Sequence, residues 1–339
     1  MSTGILHKAM RTLTTVAMMA TVATVLSCNK STTDPDPQQG PAIVFSPADN
    51  WTKAVIPSGD EGIAALQQDE RGFKVWSWFQ GTTSGPMFGV GGTDVKYNGS
   101  AWDYEDKKYW MNGTYDFAAV YPSTVSGTYA PETSGSTPVL KVTNFDVTDQ
   151  DDLLVAFNND IDGNNHPESV ELSFQHTLAN LNVQLHVAQE IIDDVIFNVI
   201  EAEVREISFY GISKKADYIE DDWTNHSTET IEIGKVLPTR VTLTGDYQTI
   251  LDEGILAIPQ ELSESVYLYI LADITLPTGQ KMQKSWDFPL SGIEECPRWE
   301  KNVKYTYKAI LTAEADIEFE EPSVQPWVQG ESTGVIIPR

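Results

Sequence analysis

The chain has 339 residues, with 49 acidic against 22 basic side chains, a formal net charge of −27, and only two cysteines. So acidic a surface repels nucleic acid and anionic lipid headgroups, which excludes both as partners and favours solubility outside the cell. Apolar burial, not cross-linking, has to hold such a chain together.

The first element in chain order is a secretion signal. His7, Lys8 and Arg11 make a basic start, and an apolar run over 13–26 follows it. That run is too short and too rich in Thr for a transmembrane helix, so a cleaved signal over 1–27 is predicted. Val25-Leu26-Ser27-Cys28 has the form of a lipobox, with Cys28 as the acylated new N-terminus. Acyl chains contribute roughly 0.8 kcal/mol per buried CH₂, so several of them anchor a soluble domain firmly. Residues 28–40 are polar and Pro-rich, a lipidated flexible tether. With Cys28 acylated, no intramolecular disulfide is left, and Cys296 reads as a small core residue.

Beyond residue 40 the pattern is strands and turns. Short runs of Val, Ile, Tyr, Phe and Trp alternate with clusters of Gly, Pro, Asn, Asp and Ser, which predicts an all-β sandwich or barrel. Ala42-Ile43-Val44-Phe45 is a first strand, followed by a loop through Pro57, Ser58 and Gly59. Strands are expected at 73–79, 115–121 and 152–156. The stretch 158–167 is the most turn-like, and the length after signal removal suits two domains, divided there into 41–165 and 166–330. The second half continues with strands at 170–174, 178–185, 204–210, 241–244, 255–258, 266–274 and 305–312. The spacing over 191–204 fits either a short amphipathic helix or strand.

No His-Glu-x-x-His, Gly-x-Ser-x-Gly, Walker or dinucleotide pattern occurs, so no enzyme activity and no cofactor are expected. Gly89-Val90-Gly91-Gly92 lacks the Lys of a phosphate loop and reads as a hairpin loop. Asn158, Asp160 and Asp162 stand at the alternating positions that open a calcium loop, but the bidentate glutamate due at 169 is Ser169. An Asx-Gly turn is the preferred reading there, with those three residues weak metal candidates. His176 shares a strand face with Phe174 and Leu178 and reads as a packed core histidine. Trp76, Trp78, Trp102, Tyr109 and Trp110 crowd the first half, either as core or as stacking surfaces for glycan.

Taken in order, several segments resemble the fimbrillin family, the fimbrial subunits and related surface lipoproteins of Bacteroidales. They are the lipobox at Cys28, Trp51-Thr52-Lys53-Ala54, the run 109–122 ending Ala118-Ala119-Val120-Tyr121-Pro122, and 152–156. The second half adds 170–179, 299–307 and Val324-Gln325-Pro326-Trp327. The sequence departs from the family where Lys53 and Asn302 stand, since the family often has Arg and Gly there. The resemblance implies two tandem transthyretin-like β-sandwich domains and export as a lipoprotein. It further implies that a trypsin-like protease removes the leader with the first strand, Ile43, Val44 and Phe45. The emptied groove is then refilled by an extended strand of another subunit. Arg71 is the first choice for processing and Lys53 the second, the plain alternative for Arg71 being a solvated loop arginine. The tail 331–339, with Val335, Ile336 and Ile337, is a candidate donor strand or an ordinary edge strand.

The expected function is a fimbrial or adhesin subunit at the outer membrane and cell surface. Its partners would be other subunits, the membrane through the lipid, and a host or bacterial surface ligand. The alternative is a glycan-binding surface lipoprotein that does not polymerise.

Overall fold

The computed structural model describes residues 40–48, 59–251, 253–294 and 296–327. Strands dominate, as the alternating patterns predict. The strands Phe73–Gln80 and Thr114–Tyr121 lie side by side, antiparallel, in a seven-stranded sheet. Thr114–Tyr121 is buried along nearly its whole length because each of its faces meets a different core. Tyr115, Phe117, Ala119 and Tyr121 point into one core, while Ala118 and Val120 point into the other. Phe73–Gln80 divides in the same way, with Phe73, Val75 and Phe79 on one side and Trp76 on the other. A period of two thus sorts a single run of apolar residues into two cores.

The first core is closed by Phe45, Val170, Leu172 and Phe174. The second extends from Trp76 to Trp327 and contains a β-sandwich. One sandwich layer is built on Ala179–Val187 and Val303–Leu311, which run parallel through nine register pairs. The other layer holds Thr230–Thr242, Glu201–Ser213, Tyr267–Thr275 and Lys281–Pro289 in that order. Leu181, Val183 and Leu185 of one layer and Leu268, Ile270 and Ala272 of the other are fully buried between them.

Strand pairs cross the division expected at 165/166. Phe45–Pro47 pairs in parallel with Val170–Leu172. The four-stranded sheet of Gly127–Pro131, Pro138–Asp146, Lys215–Ile219 and Asp222–Thr224 also draws on both halves. One local expectation is corrected and one open reading is resolved. The presumed loop at Gly59 opens an α-helix, Gly59–Gln68, whose Leu66 is buried in the first core. The ambiguous stretch 191–204 contains no helix: it holds a hairpin of Gln189–Ile192 and Val195–Asn198, then the start of Glu201–Ser213. Asp193 and Asp194 at its tip have φ of 51° and 62°, the primed two-residue turn whose twist suits a hairpin.

Asn302 explains a departure noted in the sequence. Its φ is 57°, the left-handed region that Gly enters freely and Asn tolerates better than other side chains. Its amide donates to the Leu178 carbonyl at 3.0 Å, so the turn before the last long strand is kept without the glycine.

Candidate functional site

The first strand is held by buried side chains and by backbone hydrogen bonds. Ile43 and Phe45 are buried, while Val44 between them is 40% exposed. The Phe45 ring packs among Phe88, Tyr104 and Phe117 with centroids 5.5 to 6.0 Å apart. Main-chain ties run to two other segments. The Ile43 amide donates to the Lys108 carbonyl at 2.8 Å, the Val170 amide to the Val44 carbonyl at 2.7 Å, and the Ala48 amide to the Leu172 carbonyl at 2.9 Å. The Tyr104 hydroxyl donates to the Ile43 carbonyl at 2.9 Å. Ladder hydrogen bonds run to a short partner, and two apolar anchors fill pockets in the first core. Removing the strand would uncover those pockets and leave unpaired backbone groups.

Arg71 sits between the helix and the Phe73 strand, and it is not a freely solvated arginine. Its Nη1 donates to Asp151 Oδ1 at 2.8 Å, its Nη2 to Asp69 Oδ2 at 2.9 Å, and its Nε to both Asp69 oxygens at 3.1 Å. The Tyr121 hydroxyl donates to Asp69 and accepts from Arg71 Nη2 at 3.2 Å. The backbone is fastened too. The Ser123 hydroxyl donates to the Arg71 carbonyl at 2.6 Å, and the Ser123 amide donates to the Gly72 carbonyl at 3.0 Å. Gly72 has φ +65°, and a Cβ there would lie 2.2 Å from the Val95 carbonyl oxygen, so the turn requires glycine. Cleavage after Arg71 therefore needs the clamp to open, because proteases act on exposed, unfastened chain.

Burial pushes the Asp69 carboxyl upward, but the hydrogen bonds from Arg71 and Tyr121 outweigh it and bring the pKa down to about 2, from 3.8. A lowered folded value means stabilisation that is full above pH 3.8 and fades as pH falls toward 2. Asp69→Asn should thus lower the denaturation midpoint at pH 7. The gap to wild type should close near pH 2, as urea titrations at both pH values would record. A gap of the same size at both pH values would refute the carboxylate's role.

Where the two cores adjoin, His176 Nδ1 lies 2.6 Å from Asp152 Oδ2, and both side chains are fully buried. The His176 ring stacks on Trp327 at 4.0 Å and 15°. This is the packed core histidine that the strand pattern indicates. Asn158, Asp160 and Asp162 do not converge on one point. They lie on the strand Leu154–Asp162, where the Asn158 side-chain amide donates to the Glu171 carbonyl at 2.9 Å. The Asp160 amide donates to Asp116 at 3.0 Å, and Asp162 accepts from the Asn164 amide at 2.9 Å. Among the described residues no cluster of His, Cys, Asp or Glu is arranged to hold a metal. The expected turn begins later, at Gly163, because the strand runs through 162.

The aromatic group is mostly core. Trp76, Trp102 and Trp110 are buried, and Trp78 packs against the second core. Stacking platforms for sugar are therefore not available from those three buried indoles, whereas Trp78 is part-exposed and lines a surface cavity with Gln80 and Pro86. Cys296 is also buried, and burial pushes its thiol up to about 11, a Tyr307 hydrogen bond working weakly the other way. Iodoacetamide at pH 7 should leave Cys296 of folded 29–339 unmodified and alkylate it fully in denaturant, as intact mass would record. Rapid alkylation of the folded chain would contradict this burial.

Cys28, Lys53 and the tail residues Val335, Ile336 and Ile337 lie outside the described residues. The features that the sequence pattern did not disclose are the partners of Arg71 and the exposed apolar hairpin. Only Asp69, two residues from Arg71, could have been suspected from spacing.

Residues 58–327 match the fimbrillin-like family, and the chain belongs to it. A fimbrial protein from Bacteroides vulgatus has a similar fold, with a TM-score of 0.61 at 13% identity over 85% of this chain and 99% of that one. A candidate cell adhesion protein from Bacteroides uniformis aligns at TM-score 0.46 and 16% identity, over 85% and 99% of the two chains. No curated protein matches the sequence.

Proposed function

We propose that the chain is a non-catalytic adhesin subunit of a fimbrium, exported as a lipoprotein through Cys28 and displayed at the outer membrane. Its assembly would proceed by strand exchange. A trypsin-like protease removes the segment containing Ile43, Val44 and Phe45, and the extended tail of another subunit, through Val335, Ile336 and Ile337, fills the emptied pockets. The observation that carries this reading is the first strand itself. The parallel-paired strand is Phe45–Pro47, later than the expected 42–45, and buried Ile43 and Phe45 anchor the segment, so it plugs a groove that another apolar strand could refill. Membership of the fimbrillin-like family and the likeness of fold to a fimbrial protein support the same reading. The groove would draw on both halves, 41–165 and 166–330, because Val170–Leu172 of the second half pairs with the first strand.

Processing after Arg71 would follow opening of its clamp, and processing after Lys53 would bypass it. Limited trypsin treatment of residues 29–339, followed by intact mass and size-exclusion chromatography, tests the proposal. Loss of the first strand with a ladder of larger species is expected. A chain that loses the strand and stays monomeric, or never loses it, would refute assembly by strand exchange.

A further inference from the structure

The hairpin Gln189–Ile192 and Val195–Asn198 pairs with no other strand among the described residues. Its five large apolar side chains, Ile191, Ile192, Val195, Ile196 and Phe197, are each at least half exposed. The register sorts them onto two faces. Ile191 lies opposite Ile196 on one, and Ile192 opposite Val195, beside Phe197, on the other. A solvated surface strand would have one polar face. An isolated two-stranded hairpin is marginal in water, and both of its edges here present unpaired backbone groups. Apolar residues on both faces suit a strand that is to be enclosed by further chain.

The occupant is indicated by charge, pattern and reach. The only charged residues of the hairpin are Glu190, Asp193 and Asp194, so a partner strand should be apolar and carry a cation. Within the chain beyond Trp327, Val335-Ile336-Ile337 is the apolar run, and Arg339 is the only basic residue. As a strand it would place Val335 and Ile337 on one face and Ile336 on the other, matching a hairpin that is apolar on both.

Reach decides which copy supplies it. Trp327 lies at the start of Val303–Leu311, its amide donating to the Asn302 carbonyl at 2.9 Å. The hairpin leaves from the opposite end of that strand, past Val187, which pairs with Leu311. The strand alone spans about 26 Å. Val335 follows Trp327 by eight residues, at most about 28 Å of fully extended chain. The run 335–337 would be used up in reaching the hairpin's base and could not lie along its apolar positions. A second copy has no such limit.

We propose that the 189–198 hairpin binds the C-terminal tail of a second copy as an added β-strand, before any proteolysis. The proposal gives the tail an acceptor while the first strand still plugs the groove described above. It rests on that reading only for the tail being strand-forming.

Sedimentation velocity on untreated 29–339 tests it over a wide concentration range. Concentration-dependent association is expected, weakened at least about tenfold by Ile191→Ser with Ile196→Ser, and equally by Val335→Ser with Ile337→Ser. These hairpin side chains are exposed, so the fold should survive, and circular dichroism checks that it does. A strictly monomeric untreated chain would overturn the proposal, whatever trypsin then produces. Association lost in the hairpin variant but kept in the tail variant would also overturn it, in favour of hairpin-to-hairpin contact. Association that needs both elements, with no polymers after trypsin, would uphold it and sink strand exchange instead.

Discussion

Phe45→Ala is expected to speed amide exchange at Val170 by about a hundred- to a thousandfold while exchange in the Ala179–Val187 strand stays unchanged. The Val170 amide donates to the Val44 carbonyl and is protected only while the first strand is docked. Truncating a fully buried Phe costs about 3–5 kcal/mol, and every 1.4 kcal/mol is tenfold in the opening equilibrium. Because the strand belongs to a two-stranded pair apart from the sandwich layers, that loss should appear as local release, not global unfolding. Val44→Ala is the control, since Val44 is 40% exposed and its side chain fills no pocket. Equal exchange at Val170 in Phe45→Ala and wild type would show that the ring is not what holds the strand.

The second large effect concerns the buried pair where the cores adjoin. Asp152→Ala should destabilise the fold by about 3 kcal/mol, because it strands a buried His176 nitrogen without its acceptor. Asp152→Leu combined with His176→Phe should cost less than that single change, since the phenyl ring can still stack on Trp327 and neither member of the pair is left facing an absent partner. Urea unfolding of the three proteins decides the matter. A double variant as unstable as Asp152→Ala, or more so, would mean that the two residues do not act as a pair.

Much of this architecture was legible in the sequence because a period of two is a local property. Leu181, Val183, Leu185 and the run 266–274 alternate as a half-buried strand must, and they form the sandwich as expected. The helix Gly59–Gln68 was hidden because Pro57-Ser58-Gly59 and a second glycine at 62 read as loop. The 189–198 hairpin was ambiguous for another reason: five apolar residues around two aspartates fit both periods, and only the paired turn geometry at Asp193 and Asp194 separates them. The clamp on Arg71 depends on Tyr121 and Asp151, fifty and eighty positions away, so no reading of local spacing could supply it. The division near 165 marked a real turn at Gly163, yet turns say nothing about which strands pair across them. Phe45–Pro47 finds its partner at Val170–Leu172, well beyond that point.

The arrangement at Trp327 sets how the subunit would carry tension. The strand Ser323–Pro326 runs antiparallel to the start of Val303–Leu311, with Pro326 opposite Val303. A pull on the chain beyond Trp327 directed across the strand axis would load these four pairs one after another, as a zipper opens, whereas a pull along the axis would load them together in shear. The nine parallel pairs behind them would be loaded only after the zipper had opened. The indole of Trp327, buried and stacked on His176, is therefore the first element to bear force, and its hold would set the load at which the end of the subunit begins to give.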